Sequence, residues 1–191
     1  MGDRQLKPGG GNPKGHFEDY DMVQLNHHLV NRADPGSRCP TGLIATEKFR
    51  AYVAFRDDTQ AVWGVKDPRL CVTGPLLLEQ LKNRADDVRI VIAARDVGAC
   101  IKSLAVRDNL DLGTAAVNFM FRETEMGWTV KIAKKYGMPI HRVQFEELVD
   151  PDLRDLVVFN LADFIFNFTA GIANACQFVD PTLVHHGEES Q

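Results

Sequence analysis

No uninterrupted apolar stretch of about 18 residues occurs in this 191-residue chain, so no membrane span is expected. Its most apolar segment, LVVFNLADFIFNFTAGIANA, is broken by Asn160, Asp163, Asn167 and Thr169 and reads as a pair of core helices. The opening MGDRQLKPGGGNPKG has no apolar run of the kind a signal peptide needs, and Leu6 stands where N-myristoylation needs Ser or Thr. Lys and Arg form no dense block: 22 of them stand against 26 Asp and Glu, giving a net charge of −4 and a pI near 5.8. Nucleic-acid binding normally leaves a basic footprint and is not expected, although a few arginines suffice for a small anion. Cys39, Cys71, Cys100 and Cys176 show neither CxxC nor Cys/His spacing, so no metal site is expected and they read as free thiols in a cytoplasmic protein. A Walker A loop is missing as well, because PGGGNPKG follows no strand and lacks a GK[ST] ending. There is no internal repeat.

The length suits one domain over residues 1–191 with a sizeable core. Residues 1–16 read as a glycine-rich loop and 180–191 as a frayed tail. Between them, FEDYDMVQLNHHLVNR has a helical stripe, ADPGSRCPTG is a loop turning at Pro35-Gly36, and LIATEKFRAYVAFR is an amphipathic helix. AVWGVKD, 61–67, reads as a buried strand ended by Pro68, with helical periodicity resuming through PLLLEQLKNR. VRIVIAA, 88–94, has the composition of a parallel strand buried on both faces. A helix from 97 to about 108 follows, then a long one from about Thr114 to Tyr136 that stops at Gly137. A third strand is centred on 140–145, and Asp150-Pro151 opens another helix. Strands separated by helices indicate an α/β fold with a helical carboxyl half.

Arg95 ends the 88–94 strand, at the edge where open α/β sheets bind ligands, and its permanently charged fork of donors needs a carboxylate or a phosphate. Ser103 and Arg107 share a face of the next helix, so the three residues are candidates to clasp a phosphate. The alternative is that Arg95 pairs with Asp96 or Asp67 and that Arg107 is a solvated surface residue. KDPR, 66–69, repeats the basic-acidic order at another strand end, where Lys66 would stabilise charge on a transferred phosphoryl or sulfuryl group; a structural network of Lys66, Asp67, Arg69, Arg95 and Asp96 is the competing account. FED, 17–19, opens a helix, so its acids either cap that helix or Glu18 acts as a general base towards an acceptor hydroxyl. His27 and His28 point in different directions, His141 reads as a packed edge histidine, and His185, His186 and Glu188 fall in the frayed tail.

NPKGHFEDYDMVQLNHHL, WGVKDPRL, RIVIAARDVGACIKSLAVR, IHRVQFEELVDP and FVDPTLVHH together resemble the sulfotransferase family, in particular its bacterial and marine microbial members, in order and spacing over nearly the whole chain. Each piece is weak alone and the combination is fairly specific. The resemblance implies a P-loop-type parallel sheet flanked by helices. It also implies transfer of a sulfuryl group from 3'-phosphoadenosine-5'-phosphosulfate to a hydroxyl or amine of an acceptor that the sequence does not identify, leaving adenosine 3',5'-bisphosphate. Arg95 and Ser103 match the family's pair for the 3'-phosphate, with Arg107 in support. Lys66 falls where the family often has a lysine near the transferred group, and Glu18, ahead of Asp67, is the candidate base.

Two departures stand out. Val97 follows Arg95-Asp96 where the family usually has proline, and the family's first strand, phosphate-binding loop and following helix would precede Met1. The expected domain is therefore truncated at its N-terminus, with an open sheet edge that a second copy would cover in a homodimer. The competing class is a non-enzymatic assembly module on the same scaffold. A small-molecule kinase is a third, disfavoured because it needs the same phosphate loop.

Overall fold

The computed structural model describes residues 18–30 and 42–166. The expected loop at 1–16, the Pro35-Gly36 turn, Cys39, Cys176, the second C-terminal helix and the tail from Asp180 lie outside the described residues. Within them the chain is mixed α/β, with seven α-helices and a two-stranded parallel sheet. It divides into two compact units, one of residues 18–30, 42–85 and 121–136, the other of residues 86–120 and 137–166.

The first unit is helical. Asp19 starts α1 (Tyr20–Leu29), its Oδ1 accepting the Met22 N–H at 2.9 Å, which satisfies one of the donors a helix start leaves open. Met22, Val23 and Asn26 form the buried face. In α2 (Leu43–Thr59) the buried positions Ala45, Phe49, Tyr52, Val53 and Arg56 recur at three- to four-residue spacing, so a single stripe faces the core. An arginine stands at the end of that stripe.

The periodicity of PLLLEQLKNR suggests a helix beginning at Pro75, whereas α3 runs Leu70–Leu81 with Pro75 inside it. Proline has no N–H to give the carbonyl four residues back, that of Cys71. Thr129 Oγ1, from the long helix α5 (Leu112–Lys135), donates to that carbonyl instead at 3.1 Å. Gly74 permits the approach, since a Cβ there would stand 2.6 Å from Thr129 Cγ2. A proline that would ordinarily break the helix is thus accommodated by a hydroxyl from another element.

Residues 61–67 form no strand, contrary to the pattern of AVWGVKD. Trp63 turns to α2 instead, donating its Nε1 proton to Asp57 at 2.8 Å and meeting the Tyr52 ring edge-on at 6.1 Å. A strand needs a ladder partner as well as suitable side chains, and here the side chains are used for packing on a helix.

The second unit holds the sheet. β1 (Ile90–Ala94) and β2 (Ile140–Gln144) run parallel, in register from Ile90 opposite Ile140 to Ala94 opposite Gln144. The expected burial of both faces of β1 is not found: Val91 is 40% exposed and Ala93 is exposed too. β2 is its only strand neighbour among the described residues.

Asp96 caps α4 (Val97–Asp108) through the Ala99 N–H at 2.8 Å, and the helix closes at Asn109, whose φ of 51° lets Leu110 N–H reach back to the Ala105 carbonyl at 2.9 Å. Leu104, Ala105 and Ala115 make a small core with Ile101, Leu110 and Phe119 against it. α5 ends just before Gly137, in the left-handed region at φ +74°, as the sequence suggests. α6 (Phe145–Val149) follows β2, and α7 (Arg154–Phe166) begins three residues beyond Pro151, after a turn held by Asp152 N–H on Asp150 Oδ1. His141 stacks on Phe164 of α7 with ring centroids 5.1 Å apart, a packed edge histidine. No helix among the described residues is long and apolar enough to cross a membrane.

Candidate functional site

In the first unit, the chain entering α1 presents Glu18 and Asp19 as successive residues, and they divide the work that acids at a helix start can do. Asp19 is the cap. Glu18, 8% exposed, turns instead to two cations: Oε1 lies 3.4 Å from Lys66 Nζ and Oε2 lies 3.7 Å from an Arg69 terminal nitrogen. Lys66 keeps its head half-exposed while Arg69 is largely covered. The result is a carboxylate held beside an ammonium that faces water, an arrangement able to accept a proton from a hydroxyl while a positive charge stands next to it.

Asp67 sits behind this pair with no accessible side-chain surface. Its Oδ2 accepts from Asn26 Nδ2 at 3.0 Å, and Oδ1 accepts the Arg69 backbone N–H at 2.8 Å with Arg69 Nε at 3.1 Å. Asn26 Oδ1 in turn accepts from Thr73 Oγ1 at 2.7 Å, so α1, the KDPR turn and α3 are tied into one buried polar chain. Asp67 therefore orients Arg69, which bridges to Glu18.

The network alternative and the functional one apply to different members of KDPR: Asp67 and Arg69 are joined internally, Lys66 reaches outward. Asn26 was not legible as a participant, because it looks like an interruption of an apolar stripe.

In the second unit, Arg95 follows the carboxyl end of β1. Among the described residues it makes no ion pair, with Asp96 or any other carboxylate; its guanidinium lies over the Phe145 ring, 5.0 Å from the centroid. Asp96 is otherwise engaged as the cap of α4, and its own N–H donates to Glu146 Oε1 at 2.8 Å. Arg95 is thus a cation at a strand end, held on an aromatic ring and without a carboxylate partner among the described residues. Ser103 is exposed on α4. Arg107, on the same face of that helix, makes a two-pronged contact with the adjacent Asp108 at 2.7 and 2.8 Å, which raises its pKa further. No hydrogen bond joins Arg95, Ser103 and Arg107 to one another.

Glu18, Lys66 and Asp67 belong to the first compact unit, and Arg95, Ser103 and Arg107 to the second. No cluster of three or more His, Cys, Asp or Glu side chains suited to a metal occurs among the described residues. Cys71 is buried, which pushes its thiol up, and Cys100 is partly buried.

One buried group escaped sequence reading altogether. Arg56, 4% exposed, donates through one terminal nitrogen to Asp19 Oδ2 at 2.5 Å and Asp21 Oδ2 at 3.0 Å, with the Tyr52 and Phe55 rings 5.2 and 5.4 Å from its central carbon. Burial, and after it the negative charge of Asp19, push the Tyr52 phenol well above its ordinary value. The available signal was the phase of Arg56, which continues the stripe of Phe49, Tyr52 and Val53.

No family model, curated protein or solved structure matches this chain. What the described residues establish is a mixed α/β protein with a small two-stranded parallel sheet flanked by helices.

Proposed function

We propose that the protein is a sulfotransferase-type enzyme built on a P-loop-type sheet, binding 3'-phosphoadenosine-5'-phosphosulfate and passing its sulfuryl group to a hydroxyl or amine. The observation that carries this reading is Arg95: a guanidinium at the carboxyl end of a parallel strand, stacked on Phe145 and without a carboxylate partner among the described residues. A cation held there is suited to a phosphate, and Ser103 is an exposed hydroxyl on the helix that follows.

Glu18 is the base in this reading, since Asp67 has both oxygens occupied by Asn26 and Arg69. Lys66, beside Glu18, stabilises charge on the transferred group. Arg107 has a secondary role, because Asp108 already meets its charge.

A second reading, an assembly module that joins copies through the sheet, is favoured by one observation. Both strands are edge strands among the described residues, and mid-strand Val91 is 40% exposed.

Isothermal titration with adenosine 3',5'-bisphosphate separates the two readings. The nucleotide reading expects saturable binding that Arg95→Ala weakens about 10- to 150-fold, the equivalent of about 1.5–3 kcal/mol for a charge-assisted hydrogen bond. Absent binding, or unchanged affinity in the variant, overturns it; a folded sample that binds nothing and self-associates by light scattering supports assembly.

A further inference from the structure

We propose that a second copy of this chain docks on the exposed face of α2, the two α2 helices lying antiparallel about a two-fold axis. Ile44, Lys48, Ala51, Phe55 and Asp58 follow one another at alternating spacings of four and three residues, the repeat of a coiled-coil seam, and all five are exposed. The seam runs beside the buried stripe of Phe49, Tyr52 and Arg56 and belongs to the first compact unit alone. Ile44 is 74% and Phe55 51% exposed, and Val62, just beyond the helix, is 78% exposed. So much uncovered apolar surface along one helix marks an interface.

The charges on the seam identify what covers it. Among the described residues Lys48 and Asp58 make no ion pair, whereas their neighbours are engaged: Glu47 holds Arg50 at 2.6 Å, and Asp57 holds Arg84 and the Trp63 indole. The seam's cation and anion stand equally far from its middle, on the level of Val53. A copy laid parallel sets like charge against like. Laid antiparallel, each Lys48 meets the partner's Asp58, and each Phe55 meets the partner's Ala51, where a small side chain leaves space for the ring. Ala51, Phe55 and Thr59 also border a hollow of about 470 Å³, which gives that ring further room. With one charge of each sign, the seam has no net attraction for an anionic surface and is complementary to itself. The interface uses neither sheet edge and no residue of the sulfuryl-transfer reading, so it stands or falls apart from both readings above.

Sedimentation equilibrium of the full chain at low salt is the test. A single helix pair is at the small end of protein interfaces, so a reversible dimer with Kd of about 1–100 µM is expected. Phe55→Asp should weaken it by more than about tenfold. Lys48→Glu and Asp58→Lys should each weaken it about three- to tenfold without lowering the thermal midpoint, because both side chains are exposed. Mixing those two variants should restore association as a heterodimer, in which each altered residue again meets an opposite charge. A chain that stays monomeric, dimers indifferent to all three substitutions, or a mixture no tighter than its components overturns the proposal. So do dimers that Val91→Lys dissolves and Phe55→Asp leaves intact, since the sheet edge then joins the copies.

Discussion

Replacing Asp19 tests how the first unit holds its site together. One carboxylate does two things there: Oδ1 caps α1 through Met22, and Oδ2 accepts a hydrogen bond from Arg56, with both partners of that pair almost fully buried. Losing an N-cap costs about 1 kcal/mol, and breaking a buried ion pair by removing one member costs about 3–5 kcal/mol. Asp21 stays 3.0 Å from the same Arg56 nitrogen, which places the second figure at its lower end.

Asp19→Ala should therefore lose about 4 kcal/mol, a large part of the 5–15 kcal/mol typical of a domain. Asp19→Asn retains the cap and a neutral acceptor for Arg56, and should lose only about 2 kcal/mol. Urea unfolding at pH 7, followed by circular dichroism, measures both. A loss below about 1 kcal/mol for Asp19→Ala, the value of a surface pair, refutes the buried-pair account. Equal losses in the two variants refute the capping share. Since Glu18 precedes Asp19, the same substitution loosens the backbone that carries the candidate base.

Gly74→Ala should destabilise the protein by about 1–3 kcal/mol, because the added methyl meets Thr129 Cγ2 and Oγ1 at 2.6 and 2.8 Å and threonine cannot swing aside without giving up the Cys71 carbonyl; an unchanged urea midpoint contradicts that packing. Stability should also fall in acid. Burial works upward on Asp57, but hydrogen bonds from Arg84 and Trp63 outweigh it and hold the carboxyl low, while Lys82 and Tyr136 do the same for Glu79. With both folded-state pKa values depressed, the unfolded chain binds more protons. Their contribution is present above the ordinary values of 3.8 and 4.5 and is lost as pH falls through the lower folded ones. Urea midpoints that are flat from pH 7 to about 3 refute this.

What the amino-acid sequence determined by itself is local. β1 was legible from a short β-branched run, β2 as the strand centred on 140–145, and the end of α5 from Gly137. Each of those signals acts on backbone groups within a turn of itself. Arg95 was legible as a strand-end cation for the same reason. Tertiary structure decided the rest: Asn26 meets Asp67 across 41 residues, Arg56 meets Asp19 across 37, and Thr129 meets the Cys71 carbonyl across 58.

Those pairings settled that Asp19 caps while Glu18 faces Lys66, that Asp67 is occupied, and that α3 runs through Pro75. They also left residues 61–67, strand-like in composition, without a ladder. The physical reason is that a propensity states what a segment is able to do alone, whereas a buried polar group is committed only when a partner arrives from elsewhere in the chain. Side-chain type and spacing do not encode which distant partner that will be.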